Sequence, residues 1–147
     1  GLRKVQGQAP HIPEREERAP KVIEEGEGRM KGRKENEVLS ECLRYLQLSG
    51  LFVWRNNTGA VKVGSRFVRF GCVGSSDILG ITRDGRFLAV ECKREKGGRL
   101  SDAQKDFLGR IRADGGIALC VSSLEDLKEK LEEAQKEGRD SEDSQHA

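Results

Sequence analysis

Across residues 35–48 the apolar positions Val38, Leu39, Cys42, Leu43 and Leu46 recur at helical spacing, and Ser49-Gly50 ends the run. The pattern predicts a helix with one buried stripe. At roughly 100° per residue Glu35 falls inside that stripe, while Glu37 lies opposite and Glu41 nearer to it, so both read as solvated. An inward carboxylate at a helix start has two readings. It favours the N-terminal dipole from a frayed first turn, or it points at a site beneath the helix.

Residues 51–55 then read as a strand and Asn56-Asn57-Thr58-Gly59 as a turn. Residues 61–63 and 66–70 suggest a small hairpin about Gly64-Ser65, with Val68 and Phe70 packing on one side and Arg66 and Arg69 accessible. The Gly/Ser loop at 71–76 suits close backbone approach to a ligand such as phosphate, or equally a positive φ. Two short apolar runs, 78–81 and 87–90, flank Thr82-Arg83-Asp84-Gly85-Arg86, and Asp-Gly between β-rich runs is a strong hairpin signal. Ser101-Asp102-Ala103-Gln104 matches a capping box, opening a helix to about Asp114 whose buried side is Ala103, Phe107, Leu108 and Ile111. An apolar strand at 117–121 follows, and Ser123 caps a last helix through Leu124, Leu127 and Leu131 to about Ala134. Strand, crossover helix, strand implies a parallel pair within a mixed sheet covered by helices, an α/β fold.

Composition sets the limits of this domain. The 147 residues allow one domain with tails, and the low apolar and high charged fractions, 35% each, reflect polar ends. Residues 1–34 read as a disordered or weakly ordered arm, 35–132 as the folded domain and 133–147 as a flexible polar tail. Four well-separated cysteines and two histidines near the termini offer no zinc-ligand spacing; Cys42, Cys92 and Cys120 fit as buried small hydrophobes. Gly1 in place of Met suggests a processed or engineered start. Without a signal-peptide pattern or a membrane-length apolar run, no membrane partner and a reducing intracellular compartment are expected.

The formal net charge of +2 is too small to argue for a nucleic acid, but its distribution is more telling. No acid lies between Cys42 and Ser76, where Arg44, Arg55, Lys62, Arg66 and Arg69 stand. From Lys93 to Arg112 seven basic residues meet three acids. Such clusters suit a polyanion, or a solvated basic surface. Between them, Asp77 enters one hairpin strand while Glu91 and Lys93 leave the other on a shared face. Ionisable groups converging beside buried apolar runs are costly unless they serve one another or bind a metal.

Glu35, Asp77, thirteen intervening residues and then Glu91-x-Lys93 resemble the PD-(D/E)xK nuclease pattern. Further pieces look like its VRR-NUC branch, the virus-type replication-repair nucleases. They are Arg55-Asn56-Asn57-Thr58-Gly59, Phe67-Val68-Arg69-Phe70-Gly71, Gly74-Ser75-Ser76-Asp77, Glu91-Cys92-Lys93 and Leu100-Ser101-Asp102-Ala103-Gln104, in order over about residues 35–125. Ser76 stands where the broader pattern often has Pro, a position that ligates no metal.

The resemblance implies a restriction-endonuclease-like core (αβββαβ) and a metal-dependent DNA endonuclease leaving 5′-phosphate and 3′-hydroxyl ends. Asp77, Glu91 and the Cys92 carbonyl would hold Mg²⁺ or Mn²⁺, with Lys93 orienting water or neutralising the transition state. Glu35 would match the first-helix glutamate, with Glu37 as its alternative. Gln104 would line the site, cap its helix, or both. Arg55, Asn56, Lys62, Arg66, Arg69, Ser76, Arg94 and Arg99 are the expected nucleic-acid contacts. Similarity to phage and bacterial junction-resolving enzymes further implies a homodimer cutting branched DNA such as four-way (Holliday) junctions, in the cytoplasm of a bacterium or phage-infected host. The alternatives are a non-catalytic nucleic-acid-binding module, a nuclease without branch specificity, and a phosphodiesterase acting on RNA.

Overall fold

The computed structural model describes residues 29–145, with side chains placed at 35–140 and at Ser144. Helix α1 spans Arg29–Leu48, followed by strands β1 (Phe52–Arg55), β2 (Gly59–Val63), β3 (Arg66–Phe70), β4 (Ile78–Ile81) and β5 (Phe87–Cys92). Helix α2 (Asp102–Ala113), strand β6 (Ile117–Val121) and helix α3 (Leu124–Gln145) complete it. Two boundaries differ from the sequence reading. Helix α1 starts six residues before Glu35, inside the expected arm, and α3 continues past Ala134 through the expected tail. Both extensions are largely polar, so apolar periodicity gave no sign of them; an i,i+4 ion pair at 2.9 Å ties Lys136 of the α3 extension back to Glu132. The remainder of the expected arm, residues 1–28, lies outside the described residues.

The main sheet has the order β1-β4-β5-β6, antiparallel except for the parallel pair β5–β6 across the α2 crossover. At the β4–β5 turn, Thr82 N–H donates to the Arg86 carbonyl at 2.9 Å, the Thr82 hydroxyl bonds the Asp84 carboxylate, and Gly85 takes φ +83°. That turn fixes the register Ile81↔Phe87 through Ile78↔Val90.

Alternation then divides the sheet into two faces. Ile78, Leu88, Val90, Cys92, Ile117, Leu119 and Val121 pack beneath Leu39, Cys42 and Leu46 of α1 and Leu127 and Leu131 of α3. On the other face Ala89 and Ala118 pack against Leu108 of α2, with Leu79, Phe107 and Ile111 around them. Helix α2 reaches only the β5–β6 half, leaving Phe52, Trp54 and Ile81 at 72%, 40% and 42% exposure. Strands β2 and β3 form a separate two-stranded sheet in which every residue is exposed. Val68 and Phe70 share one face of this hairpin, as expected, and remain 48% and 44% exposed there. Among the described residues no helix is long and apolar enough to cross a membrane.

Candidate active site

Extending the β4–β5 register one residue past Ile78↔Val90 sets Asp77 opposite Glu91. Both follow the alternation of Leu79 and Ala89 and point to the α2 face. The open end of the hairpin thus holds two carboxyl groups, kept in place by distinct contacts. Asp77 Oδ2 accepts the Cys92 backbone N–H at 2.8 Å. Glu91, 3% exposed, offers Oε1 to Gln104 Nε2 at 2.7 Å and to Lys93 Nζ at 3.3 Å. Its other oxygen, Oε2, is buried with no hydrogen-bond partner. Burial, then the charge of Asp77, pushes the Glu91 carboxyl from 4.5 up to about 7, against the opposing pull of Lys93.

The backbone beneath the pair follows from strand geometry. A strand residue's N–H and C=O face the same edge, and Lys93 N–H donates to Val121 of β6 at 2.8 Å. Cys92 therefore turns its amide and carbonyl the other way, towards Asp77. Its thiol lies in the opposite core beside Cys42, where the hydrogen bond it gives to Cys42, and then burial, raise its pKa, so only its backbone serves the site.

Gln104 has both ends of its amide engaged. Oε1 accepts the Ser101 N–H at 2.9 Å, and the Ser101 hydroxyl accepts the Gln104 N–H at 3.2 Å, completing the capping box. With Oε1 so used, Nε2 is the end that meets Glu91.

The other candidates separate by position. Asn56 braces the Asp77 loop: its N–H donates to the Asp77 carbonyl at 2.7 Å, and Nδ2 donates to Ser75 Oγ at 2.6 Å and the Ser76 carbonyl at 3.0 Å. Ser76 is buried beside them at 1% exposure, its hydroxyl without a hydrogen-bond partner. The loop is drawn inward at Gly74, whose φ is +79° and where a Cβ would collide with the Ala103 carbonyl of α2. The loop glycine therefore meets protein backbone. Arg94 closes its own turn through the Gly97 carbonyl at 3.2 Å, whereas Arg55, Lys62, Arg66, Arg69 and Arg99 are exposed.

Glu35 stands apart from the pair. It is half-buried on α1, the helix covering the opposite face, and among the described residues no three Asp, Glu, His or Cys side chains gather to hold a metal ion. Glu37 is exposed and lines a cavity of about 250 Å³ with Glu41 and Glu95. Neither glutamate joins Asp77 and Glu91 here.

A family model described as the VRR-NUC domain matches residues 33–123. The chain belongs to the VRR-NUC domain family. The VRR-NUC domain is of nuclease type, so this chain is a hydrolase domain with DNA as its partner. A solved structure titled "VRR_NUC domain" is 21% identical, with 67% of this chain and 95% of that chain covered and a TM-score of 0.50; it supports the fold alone. No curated protein matches the chain.

The family points to a divalent metal ion, and the residues present suit one. A buried carboxylate oxygen with no donor is satisfied by a proton, which the raised pKa favours, or by a cation, and Asp77, Glu91 and the Cys92 carbonyl are all hard oxygen donors suited to the latter. Hard divalent ions keep several waters, so this donor set is sufficient without Glu35.

Proposed function

We propose that this VRR-NUC domain is a Mg²⁺- or Mn²⁺-dependent endonuclease that hydrolyses DNA phosphodiester bonds at the Asp77–Glu91–Lys93 site. The observation that carries the reading is the buried, unpartnered Glu91 Oε2 beside Asp77, with a lysine ammonium within 3.3 Å of the same carboxylate. Asp77, Glu91 and the Cys92 carbonyl would hold the ion. When bound, it supplies Lewis acidity to the scissile phosphate and acidifies a coordinated water.

The chain's own groups then divide the work. The Cys92 amide fixes Asp77, and Gln104 fixes Glu91, so neither carboxylate must reorganise during the reaction. Lys93, with 15% side-chain exposure, faces both the pair and solvent, where its ammonium can orient the attacking water and offset charge building on the phosphoryl oxygens. A water oxygen bonds to phosphorus, the P–O3′ bond breaks, and its electron pair takes a proton to leave 3′-hydroxyl and 5′-phosphate ends.

Branched DNA as substrate and a two-fold dimer in the cytoplasm belong to the same proposal. Support for a second copy comes from apolar side chains without cover: Val61, Val63, Val68 and Phe70 on one hairpin face, and Phe52, Trp54 and Ile81 on the open half of the sheet. Cleavage of labelled linear, flap and four-way DNA with Mg²⁺ or EDTA, alongside a sizing measurement, tests these points together. Full activity in EDTA, or in Asp77→Ala, Glu91→Ala and Lys93→Ala, sinks the catalytic reading; equal cutting of all substrates sinks branch selectivity.

A further inference from the structure

The β2–β3 hairpin has two unlike faces. Its register pairs Val63↔Arg66, Lys62↔Phe67, Val61↔Val68 and Ala60↔Arg69. Alternation therefore places Lys62, Phe67 and Arg69 on one face with Ala60, and Val61, Val63, Val68 and Phe70 with Arg66 on the other. On the first face Phe67 is 74% exposed, lies directly across from Lys62 and is flanked along its own strand by Arg69. No acid occurs from Leu43 to Ser76, so this face carries positive charge without internal neutralisation.

The hairpin also springs from the catalytic pair. Its entry residue Asn56 is bonded to the Asp77 carbonyl, and its exit loop leads straight into Asp77. Each strand has five residues, so the face extends about 17 Å from its base. That is roughly the run of five nucleotides along one strand of a duplex. With Asn56 at its base bonded to the Asp77 loop, the arm is rooted beside the pair, within reach of a polyanion held there. An exposed ring on the same strand face as two cations is an arrangement that can stack on a nucleic-acid base while the cations meet phosphates.

Resting on the nuclease reading for its location, we propose that the Lys62–Phe67–Arg69 face is a nucleic-acid contact in which Phe67 stacks on an unpaired base a few nucleotides from the scissile phosphate. The arm thereby favours substrates with unstacked bases near the cut. Lys62 and Arg69 contact phosphates and contribute affinity without base preference.

The test is binding of the full chain in EDTA, so that no cleavage occurs, to a paired duplex and to the same duplex carrying an unpaired 2-aminopurine. Phe67→Ala is expected to lose roughly tenfold in affinity for the unpaired-base DNA and little for the duplex, and to abolish the quenching of 2-aminopurine. Phe67→Trp retains both. Lys62→Ala and Arg69→Ala weaken the two DNAs alike and each lower the salt slope by about one. Because Phe67 is exposed, its removal leaves the fold intact, checked by circular dichroism. Equal loss on both DNAs, no loss on either, or conversion of a dimer to a monomer by Phe67→Ala overturns the proposal. DNA binding with this selectivity but without Mg²⁺-dependent cleavage refutes the nuclease reading and leaves the arm's role standing.

Discussion

Replacing Glu91 by Gln should stabilise the metal-free protein at alkaline pH while abolishing its activity. The carboxyl sits in a site that pushes its pKa from 4.5 to about 7, first by burial and then by Asp77. The folded state therefore binds a proton that the unfolded chain releases between those values, so this group's contribution to stability falls as pH rises through that window. At roughly 1.4 kcal/mol per pH unit the full effect is about 3 kcal/mol, complete above pH 7 and absent below pH 4.5. The side-chain amide that Glu91→Gln introduces keeps an acceptor for Gln104 and has donors to offer Asp77, so little packing is lost. Urea unfolding of wild type and Glu91→Gln between pH 4 and 8 in EDTA measures the difference directly. The two stabilities should converge near pH 4 and separate in favour of the variant towards pH 8. Millimolar Mg²⁺ should raise the stability of wild type and leave the variant unchanged. A variant less stable than wild type at pH 8 in EDTA, or a gap that does not vary with pH, refutes the account of Glu91 as a strained carboxylate awaiting a cation.

Other substitutions probe the remaining contacts. Gln104→Glu preserves the capping box but sets a second carboxylate against Glu91, so cleavage should fall roughly 10- to 100-fold with little change in thermal stability. Gln104→Ala should lose both, with a stability decrease of about 1 kcal/mol in unfolding experiments. Lys93→Ala should reduce the single-turnover rate by roughly 10²–10³-fold and leave Mn²⁺ binding measurable by titration calorimetry. Gly74→Ala, forced into a positive φ against the Ala103 carbonyl, should cost about 1–3 kcal/mol and displace Asp77, seen as weaker metal binding.

The sheet and its hairpins were legible because short-range rules decided them. Asp84-Gly85 specified the β4–β5 turn, and once that turn existed the period of two left Asp77 and Glu91 little choice but to face each other. Ser101 and Gln104 marked the start of α2 for the same reason. The helix extensions were illegible because they are largely polar and carry no stripe. The inward stripe correctly gave Glu35 a half-buried position, yet periodicity reports which side of a helix is covered and says nothing about which sheet face does the covering. The bracing of the Asp77 loop by Asn56 was not legible, because it accompanies the fit of Gly74 against α2, a long-range contact with no local signature.

The Gln104 amide turns the first turn of α2 into a latch. Its two halves bridge a solvent-exposed loop amide, Ser101, and a buried carboxylate, Glu91, so neither can loosen alone. Opening that turn removes one of the two contacts on Glu91, leaving Lys93, and a cation bound there would couple back to the turn through the same bond. The exchange rate of one surface proton, on Ser101, is thus a built-in gauge of how firmly the buried carboxylate is held.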